Sequence, residues 1–216
     1  MARVALASVD EGLRKKIDYN FSNIAGVEVL SIKVRSKKHK KKVNKLLYKN
    51  NIKYLIAYEL NFENNIDGRE LINSIYPEII KRYAKIFAGQ DSVSVYAERL
   101  DDMAKNVIFM LCEKFKYISV FSSDYNKDKF FDEVLEKAGV MPLEFSENDS
   151  EAVFVLSGGI PDRRNIVDLK TGTGIKIYTP DKKVISPPLC EAVLRAKMDE
   201  ETDILAEFLK NGFKVI

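Results

Sequence analysis

One histidine, two cysteines and no apolar run longer than about six residues set the first limits on this 216-residue chain. The histidine, His39, stands within a run of lysines, so a triad built on an imidazole would have to use a ring crowded by positive charge. The usual zinc sites need several His or Cys ligands, and no CxxC, HExxH or HxxxH spacing occurs. Those zinc sites are excluded, and triad hydrolases are not expected. Cys112 and Cys190 are too few for a disulfide framework and read as reduced thiols of a cytoplasmic protein. A membrane helix needs roughly 20 apolar residues in succession, so no membrane partner is expected. The apolar patch before Asp10 is short and reads as a first strand rather than a signal peptide.

Acids are missing from one long segment. From Lys33 to Lys53 the chain carries ten Lys and Arg residues and neither Asp nor Glu. The whole chain is formally +3, and without those ten the remainder is −7, so this one segment makes the protein basic. A helix predicted over Ser36 to Lys49 would put His39, Val43, Leu46 and Leu47 on one face. Lys37, Lys38, Lys41, Lys42, Lys45 and Lys49 would cover the rest. Such a surface suits either a solvated crossover helix or a contact with nucleic acid or an acidic partner. Tyr48 is the one aromatic interleaved in it, and His39 reads as a packing residue.

What is present is the pattern of an α/β protein. At 46% hydrophobic and 31% charged, the composition is that of an ordinary globular chain, long enough for one core or two small lobes. Residues 3–8 predict a strand, Asp10 an N-cap, residues 11–21 a helix, and Val27 to Val34 and Ile52 to Tyr58 further strands. This β-α-β-α-β unit has a receiver-like outline, but its third strand ends in Tyr58 and Glu59, not in an aspartate that could accept phosphate. A helix from Arg69 to about Phe87 follows, with Pro77 expected to kink or split it. Residues 1–89 therefore form a first unit, 90–185 a second, and 186–216 a pair of C-terminal helices packing back on the core. The second of that pair is expected from Glu200 to Lys210, with Asp199 as its cap.

The second unit alternates strands and helices. Strands are predicted at Ser92 to Ala97, Tyr117 to Phe121, Val140 to Phe145 and Ala152 to Leu156, with helices at Leu100 to Phe115 and Asn126 to Ala138. The expected fold is a three-layer α/β arrangement, its sheet largely parallel with crossover helices. The strand Ser92 to Glu98, the helix through Met103, Ala104 and Val107, and the strand ending Phe121, Ser122, Ser123, Asp124 carry a resemblance. So do the helix ending at Gly139 and the strands Glu151 to Gly159 and Asn165 to Leu169. Together they resemble the Rossmann-type NAD(P)-binding domains of shikimate dehydrogenase and glutamyl-tRNA reductase, over roughly the second half of the chain. The resemblance implies that the last strand's small residues border a cofactor.

The glycines of that family are absent. Where G-x-G-x-x-G would carry a diphosphate, this chain has Tyr96, Ala97, Glu98, Arg99, Leu100, Asp101 and Asp102. Three carboxylates replace the turn glycines, so no dinucleotide and no other cofactor is expected. The ligand candidates that remain are Ser122, Ser123 and Asp124 at one strand tip, and Ser157, Gly158 and Gly159 at another, with Arg163 and Arg164 supplying positive charge. Ser122 to Asp124 also suit an N-cap, and the two glycines suit a turn of positive φ. Lys170 to Gly174 reads as a hairpin turn, since no helix follows to make a P-loop.

Three functions stay open at this point. One is a non-catalytic protein that binds a small anionic molecule, or regulates, on a Rossmann-like frame. Another is an interaction module using the basic helix, and the third is a divergent oxidoreductase-like enzyme. A homodimer is compatible with each.

Overall fold

The structure, a computed structural model, describes residues 3–145, 152–159, 165–199 and 202–216. It divides into two compact units. The first holds the described residues up to Leu71 together with Lys176–Lys214 and Ile216, and the second holds Ile72–Ile175 with Val215.

The first unit is built on a mixed four-stranded sheet of β1 (Arg3–Val9), β2 (Ile17–Ile24), β3 (Val27–Val34) and β4 (Ile52–Ala57), in the order β2-β3-β1-β4. β3, β1 and β4 are parallel, and β2 runs antiparallel at the edge. Here the helix expected over residues 11–21 is corrected to a loop and a strand. Ile17, Tyr19 and Phe21 alternate with Asp18, Asn20 and Ser22, which is the period of a pleated strand and not of a helix. Ala25 and Gly26, both at positive φ (49° and 84°), close a two-residue hairpin whose twist matches that of the strands it joins. Asp10 caps no helix: its backbone N–H donates to Val34 C=O, and its carboxylate accepts from Gly12 N–H.

Lys37–His39 form a single 3-10 turn that leads into α1 (Lys40–Lys49). Val43 is buried against Ala5, Ala7, Leu30, Ile32, Val34, Leu55 and Ala57, with Leu46 and Leu47 partly buried beside it. Of the face expected of a helix from Ser36, Val43, Leu46 and Leu47 pack, whereas the helix begins only at Lys40 and His39 lies in the 3-10 turn before it. After β4 the chain reaches α2 (Arg69–Ile86), which continues through Pro77 as one element and is not split there. Buried Leu71, Ile72, Ile75, Ile79 and Ile80 form its apolar stripe on both sides of the proline.

The second unit is a five-stranded, all-parallel sheet with helices between strands. Its strands are β5 (Ser92–Tyr96), β6 (Tyr117–Phe121), β7 (Leu143–Glu144), β8 (Ala152–Val155) and β9 (Asn165–Asp168). α3 (Asp102–Cys112) follows β5, and α4 (Lys127–Ala138) follows β6. The order β7-β6-β5-β8-β9 is that of a doubly wound sheet, in which the chain leaves β5 on one side and returns on the other. Consecutive residues of β5, β6 and β8 are buried, because helices cover both faces of such a sheet. β7 is shorter than Val140 to Phe145 suggested, pairing only at Leu143 and Glu144.

A third sheet joins β10 (Ile177–Tyr178), β11 (Val184–Ile185) and β12 (Lys214–Val215), in the order β11-β10-β12. The hairpin expected around Lys170 to Gly174 is therefore corrected, since β9 and β10 belong to different sheets. Asp168 accepts from the N–H groups of Lys170 and Thr171 (2.9 and 3.0 Å) and organises that turn instead.

In the C-terminal part of the first unit, α5 (Pro187–Arg195) packs on β4 and β1. α6 (Ile204–Lys210) packs on α5 and begins at Asp203, which accepts from Leu205 and Ala206 N–H. The cap expected at Asp199 is corrected to Asp203. Cys112 and Cys190 are free, and no helix among the described residues is long and apolar enough to cross a membrane.

Candidate functional sites at the strand tips and on the basic helix

In a doubly wound sheet, ligands sit beyond the carboxyl ends of the strands, where the connections diverge. In the second unit that place lies between the tips of β5 and β8. Leu156 N–H donates to Tyr96 C=O and Ala97 N–H to Phe121 C=O, so three strands end together. Beneath the tips, Tyr96 and Phe121 stack at 4.2 Å, and Phe145 stands edge-on to both.

The turn from β5 into α3 occupies the divergence point with its own side chains. The Glu98 side chain lies over Gly158, which holds φ +83°. A Cβ placed on Gly158 would meet Glu98 Oε1 at 2.6 Å. The close approach that the glycine permits is therefore taken by a carboxylate of the same unit. Ser122 and Ser123 both donate to Glu98 C=O (3.3 and 3.1 Å), and Arg99 N–H reaches Ser157 Oγ at 3.5 Å.

Asp124 completes the arrangement. Its carboxylate accepts from Asn126 N–H at 2.9 Å and from Leu100 N–H at 3.1 Å, just ahead of α3. These N–H donors, Asn126 first and then Leu100, hold its pKa below the usual aspartate range, with Lys105 and Arg99 adding to the effect. Asp101 caps α3 by accepting from Ala104 N–H at 2.8 Å. A chain carboxylate thus rests on backbone donors at the start of α3, the position in this architecture where an anion would dock.

Of the sequence candidates, Ser122, Ser123, Asp124, Ser157 and Gly158 converge on the Glu98–Leu100 turn. Around a Cβ at Gly159 there is open space. Arg163 and Arg164 lie outside the described residues. Lys170, in the turn that follows β9, was not among the candidates, yet its Nζ donates to Gly158 C=O at 2.7 Å. Its spacing from Gly158 carries no motif, and only the parallel pairing of β8 with β9 brings it there.

The basic helix is arranged in the opposite sense. Lys37, Lys38, Lys41, Lys42, Lys45 and Lys49 are all exposed, and none forms an ion pair among the described residues. Lys40 differs: its ammonium donates to Asn61 C=O and lies 4.6 Å from the Phe62 ring centroid. His39 Nδ1 is 3.2 Å from Ser36 Oγ, a local contact within the turn. Arg35 N–H donates to Lys16 C=O at 3.2 Å. That bond places the exposed Arg14, Lys15 and Lys16 beside the start of the basic segment, a convergence that β2 creates and a helix at residues 11–21 would not.

Two further groups are chemically quiet. Burial pushes the Cys112 thiol up to about 11 and raises that of Cys190 further, so neither is a thiolate near neutrality. No cluster of His, Cys, Asp and Glu suited to a metal occurs among the described residues.

No protein-family model matches the chain, and no curated protein matches it. Among solved structures it is similar to L-tryptophan dehydrogenase from Nostoc punctiforme, at 13% identity and a TM-score of 0.33. The match covers 71% of this chain and 54% of that one, so the chain spans about half that enzyme's length. The parallel α/β architecture rests on the strand pairing described above and not on this likeness.

Proposed function

We propose that this protein is a non-catalytic binding module that holds a polyanion, with a nucleic-acid backbone as the best-fitting case, through the basic surface of its first unit. One observation carries the reading: six lysines on and before α1 are exposed and form no ion pair among the described residues, on a helix whose opposite face is locked into the core. Some lysines elsewhere in this chain are paired, and what distinguishes the α1 segment is that its lysines are grouped with no acid among them. Lys81, Lys127, Lys137 and Lys183 each meet a carboxylate within 3 Å. Unpaired lysines held close together by a rigid helix repel one another, and phosphates relieve that repulsion while releasing counterions.

Binding to nucleic acid should weaken with salt, log K falling by about 0.7 per log unit of salt for each phosphate contact on a single strand. The test is retention on heparin and on nucleic acid by the full chain and by a variant carrying Lys38→Glu, Lys41→Glu, Lys42→Glu and Lys45→Glu. Loss of retention in the variant supports the reading, and unchanged retention overturns it. Free Cys112 and Cys190 fit a reducing compartment such as the cytoplasm. A homodimer would present two such surfaces.

A second reading, a small anionic ligand at the tips of β5, β6 and β8, draws on the Lys170 ammonium beside Gly158. Such a ligand would have to displace Glu98 or Asp124 from hydrogen bonds and contacts already made, so it is the weaker of the two. No bound dinucleotide is proposed. Thermal-shift screening against anionic metabolites tests it, and a flat response to all of them removes it.

A further inference from the structure

In β2, Ile17, Tyr19 and Phe21 are paired in register with Val34, Ile32 and Leu30 of β3, so the three lie on one face of the sheet. That is the face covered by α1, because Leu30, Ile32 and Val34 share a core cluster with Val43. Ile17 packs against the cluster, but Tyr19 and Phe21 extend past it and are 50% and 45% exposed. An edge strand with two half-exposed aromatic rings is a liability for solubility unless the rings have a use.

Phe21 also walls an open cavity of about 770 Å³, lined besides by Arg3, Ser22, Asn23, Gly26, Glu28 and Asn51. Asn51, next after the Asn50 C-cap of α1, takes a left-handed φ of 51° and lines the cavity, so the C-terminal end of the lysine-bearing helix lies at its rim. Asn23 accepts from Gly26 N–H with its side-chain carbonyl, and among the described residues its side-chain amide donates to no partner. Arg3 and Glu28 pair at 2.5 Å, so this wall is polar but locally neutral.

A flat ring, two side-chain amides and a neutral polar wall are the chemistry that receives a nucleobase. The ring stacks on the base, and Asn amides match the adjacent donor and acceptor of a base edge. In a duplex the base faces are stacked and closed to a ring, whereas in a single strand they are free.

We infer that the cavity beside Phe21 takes a base of single-stranded nucleic acid, with Tyr19 as a second stacking surface roughly 7 Å along the strand. The lysines of α1 would hold the phosphates, so this inference rests on the polyanion reading above and specifies its ligand.

The chain has no tryptophan, so Phe21→Trp introduces a sole indole reporter at the cavity without disturbing the core. The expected result is quenching of its emission by an adenine oligodeoxynucleotide and none by heparin, which has charge but no bases. Phe21→Ala should weaken binding of that oligonucleotide about ten-fold and leave heparin retention unchanged. Oligonucleotide binding that neither quenches the indole nor responds to Phe21→Ala would overturn the stacking site while the polyanion reading stands. Equal affinity for the matching duplex would overturn it too. Quenching by polyglutamate would point to an acidic protein partner instead. If neither oligonucleotide nor heparin is retained, the polyanion reading falls and this inference with it.

Discussion

The two units handle charge in opposite ways. In the first, Lys41, Lys42, Lys45 and Lys49 of α1 stand exposed with no acid paired to them among the described residues, and the helix beneath is fixed by Val43, Leu46 and Leu47. In the second, the polar groups at the strand tips are turned on one another: Ser122 and Ser123 on Glu98, Asp124 on Leu100 and Asn126, Lys170 on Gly158. A surface left unsatisfied is available to a partner, whereas a satisfied cluster mainly holds its own backbone in place. On the proposal above, this chain binds through its first unit and not at the strand tips, where this architecture commonly binds.

The most direct way to break that contrast is charge reversal. Lys38→Glu, Lys41→Glu, Lys42→Glu and Lys45→Glu together should reduce polyanion affinity by more than about a hundred-fold at moderate salt. They should leave thermal stability almost unchanged, since none of the four is buried. A matching set at the tips, Ser122→Ala with Ser123→Ala, should do the reverse, lowering stability and sparing polyanion retention. If the tip variants weaken retention as strongly as the lysine variants, the division of labour is wrong.

Gly158→Ala asks whether the tip of β8 is shaped for structure. Alanine at φ +83° costs about 1–2 kcal/mol, and its Cβ would also push against the Glu98 side chain. The midpoint of urea unfolding should fall accordingly. Adding Glu98→Ala should return the part due to the contact but not the part due to φ. A double variant no better than the single would show that Glu98 does not lie over the glycine in solution.

The sheet of the second unit was legible in the sequence because parallel strands buried on both faces appear as compact apolar runs between helical patterns. Val93 to Val95, Ile118 to Val120 and Ala152 to Val155 are such runs. The strand at Ile17–Ile24 reads as a helix in the sequence for a specific reason. Asp10 and Glu11 make a plausible helix start, and the alternation of Ile17, Tyr19 and Phe21 begins only after the charged Arg14, Lys15 and Lys16. Missing β2 hid the aromatic face and the approach of residues 14–16 to Arg35, so the basic segment looked poorer in aromatics than its surroundings in space are. At the tips, the carboxylates were visible as replacements for glycines, but that Asp124 would rest on Leu100 N–H required the register of β5 with β6.

The smallest expected effect separates two carboxylates that use the same device in different surroundings. Glu191 in the first unit accepts from Leu71 N–H at 3.3 Å and Asp124 in the second from Leu100 N–H at 3.1 Å, each near the start of a helix. Glu191 is 3% exposed, and burial raises its pKa despite Leu71 N–H and the Arg195 guanidinium, which bonds it at 3.0 Å. Asp124 is open to solvent on one side, and its N–H donors lower its pKa. A raised folded value means stability that is present below the ordinary glutamate pKa and lost as pH rises through the folded one. A lowered value means stability present above the ordinary aspartate pKa and lost as pH falls. Relative to the parent chain, Glu191→Gln should therefore improve steadily as pH is raised from the acid side. Asp124→Asn should instead match the parent in acid and fall behind towards neutrality. Melting temperatures across that range read both slopes: both variants improving with pH would show that burial governs both groups, and both falling behind would show that the hydrogen-bond donors do.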